Sequence, residues 1–135
     1  MDFGIDILAC RENLEAREKQ RFVEHEKRRL AAHADVLAGI RQVLRGHPEV
    51  VRIYLFGSVI RDGDFHPGSD VDVAVEGTNA EQYFFLWRDL ENASPGWFID
   101  LREIYTPSYF SDSVHQRGEL VYERENEGFT SQVSK

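Results

Sequence analysis

The sequence predicts a small α/β domain of the α+β type, in which a mixed sheet of about four strands packs against helices. Three observations support this class: short β-branched and aromatic runs, helical periodicity between them, and turn residues at their ends. The chain has 135 residues, of which 41% are hydrophobic and 30% are charged. We expect one ordinary core from this composition, and no second large domain.

The first predicted element is a long helix over residues 10–45, and its two halves differ. In the second half, apolar side chains recur at intervals of three and four residues. They are Leu30, Ala34, Leu37, Ile40 and Leu44, with Val36 and Val43 beside them. Gly46 and Pro48 end this helix. Between residues 11 and 29 most side chains are charged, so this half has little to bury in its own domain. We expect either a solvated helix face or an arm that packs on a partner chain.

Four strands are predicted, at residues 50–56, 70–76, 97–101 and 119–122. A short helical piece follows the first strand at residues 59–61, and turn residues make 62–69 a loop. A Thr78-x-x-Glu81 capping box opens a helix that runs to about Leu90. This helix supplies core side chains: Tyr83, Phe84, Leu86, Trp87 and Leu90. A further short helix is predicted over residues 107–117.

The chain divides into a charged helical arm (residues 1–34), a globular domain (35–123) and a polar tail (124–135). The single cysteine, Cys10, excludes an internal disulfide framework, and no apolar run reaches the length of a membrane span. We therefore expect a cytoplasmic protein that does not enter a membrane.

The net charge is −8 and it is uneven along the chain. Residues 49–135 contain 16 acidic and 7 basic side chains, whereas residues 1–48 contain 8 acidic and 9 basic side chains. An acidic surface opposes direct binding to nucleic acid, whose phosphates need cationic partners. It does not exclude a nucleotide that is bound through metal ions.

Gly57 and Ser58 directly follow the first predicted strand and precede a helical turn. Free backbone N–H groups at such a junction, a glycine that allows close approach and a hydroxyl donor together suit a phosphate. The same junction also occurs as an ordinary turn and helix cap, so this signal is weak alone.

Asp70 and Asp72 occupy positions i and i+2 of the second predicted strand, so their side chains share one face. Two carboxylates at this spacing repel each other unless a cation lies between them. Mg²⁺ prefers one or two carboxylates together with substrate phosphate oxygens.

Asp100 interrupts the apolar third strand, where an unpartnered carboxylate would be costly to bury. The loop, helix and returning strand between Asp72 and Asp100 can place the two side by side. Three carboxylates beside a phosphate-binding turn predict a two-metal site for phosphoryl transfer. Arg102 shares the face of Asp100 and can pair with a carboxylate or a phosphate.

Together these motifs resemble the signature of the DNA polymerase β-type nucleotidyltransferase superfamily. The matching features are the Gly57-Ser58 pair after an apolar strand, Arg61 and Gly63, the Asp70-x-Asp72 strand, and Asp100 in a later strand. Over residues 35–123 the chain is most similar to the minimal nucleotidyltransferases (MNT), which are often paired with HEPN-domain ribonuclease toxins. The segment between Ser58 and Asp70 is one residue longer than is common there, which leaves the placement of Arg61 and Gly63 open.

The resemblance implies a nucleotidyltransferase fold and a role for each residue of the motif. Gly57 and Ser58 would hold the β- and γ-phosphates of a nucleoside triphosphate, and Arg61 would steady them. Asp70 and Asp72 would bind Mg²⁺, with Mn²⁺ as an alternative. Asp100 would complete the second metal site and help to deprotonate the attacking hydroxyl.

The function that the resemblance implies is Mg²⁺-dependent transfer of AMP from ATP to a tyrosine of a HEPN toxin, which would make the chain an antitoxin. Two alternatives stay open: a non-catalytic antitoxin or assembly subunit that binds through the charged helix, and transfer to a small molecule at a dimer interface. A homo-oligomer or hetero-oligomer could form through the N-terminal helix.

Overall fold

The computed structural model describes residues 6–125 of the chain. Three helices are present, α1 (Ile7–Val43), α2 (Ala80–Ala93) and α3 (Tyr109–Arg117), together with 3₁₀ helices at Leu44–Gly46 and Gly57–Ile60. The strands are β1 (Arg52–Phe56), β2 (Val71–Glu76), β3 (Ile99–Glu103) and β4 (Glu119–Glu123). The order of elements is the one that the sequence predicts. Among residues 6–125, no helix is long and apolar enough to cross a membrane.

The four strands form one mixed sheet in the order β3-β2-β1-β4. β1 runs antiparallel to both of its neighbours, whereas β2 and β3 are parallel. A parallel pair needs a crossover connection, and α2 provides it. The predicted α+β class with a mixed sheet of four strands is confirmed.

The main core lies between the sheet and the helices α1 and α2. Its fully buried members alternate along β1 and β2 and recur at helical spacing in the two helices: Ile53, Leu55, Val71, Val73, Val75, Val36, Ile40, Leu86 and Leu90. The opposite face of the sheet carries a smaller cluster under α3, formed by Tyr54, Ala74, Ile104 and Val114. Because α3 is only nine residues long, it leaves part of this second face open.

The packing stripe of α1 differs from the predicted one. Ala32, Val36, Gly39 and Ile40 are buried, whereas Leu30 is 57% exposed and Ala34 is also exposed. Apolar residues in this part of α1 form two adjacent stripes, and the sequence does not show which one faces the sheet. The prediction that Leu30 and Ala34 belong to the core stripe was wrong.

The start of α2 lies one residue later than the predicted capping box. Asn79 is the N-cap and accepts a hydrogen bond from the backbone N–H of Gln82, whose side chain accepts one from the backbone N–H of Asn79. The Thr78–Glu81 box was therefore wrong. Of the predicted core side chains, Phe84 is 67% exposed because it lies on the outer face of α2.

α2 also covers the outer edge of β3. The hydroxyl of Tyr83 donates a hydrogen bond to the carbonyl of Leu101, and the indole N–H of Trp87 donates one to the carbonyl of Ile99 over 3.0 Å. Both carbonyls belong to the edge strand of the sheet. Two side chains thus take the positions that a neighbouring strand would otherwise fill.

β3 begins at Ile99, two residues after the predicted start. Trp97 precedes the strand and donates its indole N–H to a carboxylate oxygen of Asp35 on α1, over 2.9 Å. Phe98 is 76% exposed. Most of the predicted polar tail, residues 126–135, lies outside the described residues.

Candidate active site

The turn after β1 requires glycine at its first position. Gly57 has a φ of +73°, a left-handed conformation that side chains disfavour. A Cβ atom built on Gly57 would overlap the carboxylate of Asp72 on the neighbouring strand. Gly57 therefore permits both the turn and the close approach of the backbone to this carboxylate.

Asp72 and Asp100 lie side by side on adjacent strands. They are register partners in the parallel pair β2–β3, and Asp72 is also the register partner of Phe56, the last residue of β1. Both side chains are half-buried and occupy the α3 face of the sheet, because Val71 and Val73 point into the main core. The structure thus brings together Gly57, Asp72 and Asp100, as the sequence predicts.

The surroundings of Asp72 oppose its negative charge. The pKa of its carboxyl is raised from 3.8 to about 6, above all by burial and also by the charges of Asp100 and Asp70. Arg102 and Arg61 partly offset this increase in the pKa. A cation between the carboxylates would relieve the repulsion, so this donor set fits a hard divalent metal ion with oxygen ligands.

Asp70 lies one residue before β2 and is exposed. Within residues 6–125, no three carboxylate, imidazole or thiol side chains form a ready-made metal centre. A metal at Asp72 and Asp100 would therefore draw other ligands from substrate phosphates and water, as Mg²⁺ commonly does. The role of Asp70 as a metal ligand stays a prediction.

Two of the arginines that the sequence singles out lie near the carboxylates. Nη2 of Arg102 is 3.6 Å from a carboxylate oxygen of Asp100, and its guanidinium lies over the ring of Phe110, 5.8 Å from the centroid. Arg61 is exposed and pairs through Nε with Asp64 over 2.8 Å. Ser58 lies in the 3₁₀ helix and is half-buried.

A cavity of about 410 Å³ opens beside this group of residues. Its walls come from the end of β1, the 3₁₀ helix, β3 and the inner side of α3, and its polar residues are Arg61, Arg102, Ser113 and Arg117. Its size is typical of small-molecule sites. Three guanidinium groups around one cavity provide the charge that a polyphosphate requires.

Sequence reasoning did not single out the α3 side of this cavity. Four residues of α3 share one helix face, because three of them lie three, four and seven positions after the first. They are Phe110, Ser113, Val114 and Arg117. That periodicity is visible in the sequence. The sequence does not show that this face turns toward Gly57 rather than toward solvent.

One of the five histidines, all of which lie within residues 6–125, is buried. His47 lies between the carboxylates of Asp89 and Glu49, at 2.7 Å and 3.3 Å from its ring nitrogens. These contacts connect the start of β1 to α2, away from the cavity. Among the described residues, no histidine lines the site beside Gly57.

The comparisons with known proteins agree with this geometry. The family described as polymerase beta nucleotidyltransferase matches residues 39–127. No curated protein matches this chain. A solved toxin–antitoxin with AMP-PNP contains a chain 26% identical to this one, with a TM-score of 0.54, over 71% of this chain and 82% of that one.

Two further solved structures resemble this chain. One is a mutant of the toxin–antitoxin MntA-HpeT, with 23% identity, a TM-score of 0.52, and coverage of 69% of this chain and 78% of that one. The other is a tri-AMPylated HEPN toxin of Shewanella oneidensis in complex with an MNT antitoxin, with 22% identity, a TM-score of 0.49, and coverage of 73% and 82%. The family match spans more than half of the chain and contains Gly57, Asp72 and Asp100. This chain belongs to the polymerase β nucleotidyltransferase family.

Proposed function

We propose that this chain is a Mg²⁺-dependent nucleotidyltransferase that transfers AMP from ATP to a hydroxyl of a partner toxin, and so acts as an antitoxin. The observation that carries the proposal is the register pair Asp72–Asp100, with Asp72 packed against Gly57, which itself lines an arginine-rich cavity. Neighbouring carboxylates at a site for a polyphosphate are the arrangement that phosphoryl transfer requires. The solved toxin–antitoxin with AMP-PNP supports both the ATP substrate and the partner.

Each group of residues has a separate task in this reaction. The Gly57–Ser58 turn and Arg61 bind the β- and γ-phosphates, while Asp70, Asp72 and Asp100 would hold Mg²⁺. When bound, the metal would neutralise charge on the phosphates during transfer. The acceptor hydroxyl oxygen forms a bond to the α-phosphorus, the bond from that phosphorus to the β-phosphate oxygen breaks, and pyrophosphate leaves. Asp100 accepts the proton of the hydroxyl.

The acceptor comes from another molecule in this proposal. The cavity opens on the α3 face of the sheet, where the short α3 leaves part of the face uncovered. A tyrosine on a folded partner protein can reach such an open face while the partner supplies the missing wall. The resemblance to MNT proteins makes a HEPN toxin the expected partner.

The test uses the purified chain with α-labelled ATP and Mg²⁺, with and without the candidate toxin. We expect one or more AMP units on the toxin by intact mass, and loss of label transfer in Asp72→Asn. Asp112→Asn is a matched control, because Asp112 is exposed and does not line the cavity. Substitution of Mn²⁺ for Mg²⁺ tests the metal requirement.

A second measurement separates catalysis from simple binding. If the antitoxin effect depends on AMP transfer, the Asp70→Asn/Asp72→Asn variant should bind the toxin but fail to neutralise it. Full neutralisation by this variant would refute the enzymatic account of the antitoxin effect.

A further inference from the structure

A segment of α1 outside the family match contacts the active-site loop directly. We call residues 22–29 of α1 the brace. The family match begins at residue 39, so the brace lies upstream of it. The sequence predicts that this charged half of α1 has little to bury in its own domain. In the structure His25, Glu26, Arg28 and Arg29 are instead half-buried.

Arg29 connects the brace to the 3₁₀ helix that follows β1 and to the loop that follows this helix. Nη1 donates a hydrogen bond to the carbonyl of Val59 over 3.2 Å, within the 3₁₀ helix that begins at Gly57. Nη2 pairs with Asp62 over 2.9 Å, in the loop just beyond that helix. The side chain of Arg29 is only 12% exposed and that of Asp62 is 80% exposed, so the hydrogen bond to Val59 is the sheltered one of these two contacts.

Glu26 holds the middle of the same loop. One carboxylate oxygen accepts a hydrogen bond from the backbone N–H of Gly63 over 2.7 Å, and the carboxylate also forms a bidentate pair with Arg29 at 3.0 Å and 2.8 Å. The hydrogen bonds from Arg29 and Gly63 lower the pKa of Glu26 from 4.5 to about 2. Glu26 is therefore ionised at neutral pH.

Three further side chains extend the contact. Nη2 of Arg28 donates to the carbonyl of Pro67 over 3.1 Å. The rings of His25 and His66 meet edge to face, with 4.8 Å between centroids. The ring of Phe22 packs so closely on Gly63 that a Cβ atom there would come within 2.8 Å of it. Gly63 also has a φ of +76°, so glycine is required at this point.

The braced loop separates the two halves of the candidate site. It begins after the phosphate-binding turn Gly57–Ser58 and ends at Asp70, before the strand that carries Asp72. Residues 61–69 form no strand or helix, although four hydrogen bonds lie within the loop and the side chain of Phe65 is buried in the main core. The contacts from α1 add to this anchor and hold the turn and the loop against the helix.

We propose that the brace is part of the catalytic apparatus, and that Glu26 and Arg29 are positioning residues that hold the phosphate-binding turn ready for the nucleotide. This inference rests on the proposed function, because it assigns the brace to the same site. The brace acts on the turn and not on Asp72 or Asp100. Its loss weakens nucleotide binding and leaves the chemical step largely intact.

The test compares full-length Arg29→Met with Arg17→Met. Arg17 lies on the exposed part of the same helix, so its replacement serves as a matched control. We expect Arg29→Met to raise the Kd for AMP-PNP with Mg²⁺, and the KM for ATP, by about tenfold, with kcat changed less than about twofold. Arg17→Met should leave all three unchanged. Equal Kd values for folded Arg29→Met and wild type would overturn the proposal.

Glu26→Gln gives a second, milder variant, because its amide oxygen can still accept from the N–H of Gly63. Its Kd should lie between those of the wild type and of Glu26→Ala, a ranking that general destabilisation does not require. Hydrogen exchange without nucleotide is an independent readout: exchange in residues 57–67 should accelerate in Glu26→Ala, and unchanged protection there would contradict the brace. If the wild type itself binds no nucleotide, the proposed function fails while the exchange result still tests the brace.

Discussion

Asp72 combines partial burial with two carboxylate neighbours, and this combination has a cost in the absence of a cation. The pKa of Asp72 is about 6 in the folded chain and near 3.8 in an unfolded one. Above pH 6 the carboxyl is ionised in both states. Its charge then destabilises the folded state, where it is partly buried beside other carboxylates. As pH falls from 6 toward 4, the folded state takes up the proton first, so stability conferred by this group rises.

We therefore predict that Asp72→Asn raises the Tm by a few degrees at pH 8, although it abolishes transfer. The gain should shrink as pH approaches 4, because protonation then removes the same charge from the wild type. Thermal unfolding at a series of pH values measures both effects, with Asp112→Asn as the control. An Asn variant that is less stable than the wild type at pH 8 would contradict the assigned repulsion.

The same pKa predicts how activity depends on pH. Once Asp72 is protonated it cannot act as an anionic metal ligand, so the rate of AMP transfer at limiting ATP and Mg²⁺, which reports the free enzyme, should fall as pH drops below about 6. A rate that stays constant from pH 8 to pH 5 would argue against a role for ionised Asp72. Initial rates of label transfer give the profile.

At the scale of single elements, α2 shows how local signals compete. Thr78-x-x-Glu81 and Asn79-x-x-Gln82 overlap by three residues, and both fit a capping box. The structure uses the second, in which Asn79 caps the backbone N–H of Gln82 over 2.9 Å. We predict that Asn79→Ala lowers the free energy of unfolding by about 1 kcal/mol, whereas Thr78→Ala has a smaller effect. Urea denaturation of the two variants distinguishes these outcomes, and equal losses would refute the assigned cap.

The elements themselves could be predicted from the sequence because their signals are local. Alternation placed β2, and the periodicity of apolar residues with Gly46 and Pro48 placed the end of α1. Which side of each helix or strand packs against the core was harder to predict, since it depends on contacts between residues far apart in sequence. Leu30 and Phe84 are exposed although each lies in an apolar pattern. Trp97 lies outside the third strand, and its indole binds Asp35, which is 62 residues away.

The candidate site could likewise be predicted from the sequence only in part. Asp72 and Asp100 could be paired from strand alternation and the length of the intervening segment. Arg117 and the brace could not, because the sequence does not show which face of α3 or α1 turns toward the loop. Arg29 and Asp62 are 33 residues apart, and charged side chains in a helix ordinarily indicate a solvated face.

For the whole molecule, the net charge of −8 sets the expected behaviour toward polyanions. Proteins bind nucleic acids through many cationic contacts to the phosphates, and an acidic surface does not offer these contacts. We predict no electrophoretic shift of DNA or RNA by micromolar protein near physiological salt. A nucleoside triphosphate with Mg²⁺ should bind under the same conditions, and binding of RNA without Mg²⁺ would refute this expectation.

The side chains of Tyr83 and Trp87 at β3 limit how any second protein can approach. A sheet can be extended by an incoming strand only at an edge whose carbonyls are free, and those of Ile99 and Leu101 already accept hydrogen bonds from α2. An incoming chain would have to displace two aromatic side chains before it could pair there. Strand addition at this edge of β3 is thereby disfavoured, so the sheet is not extended on the side next to Asp100.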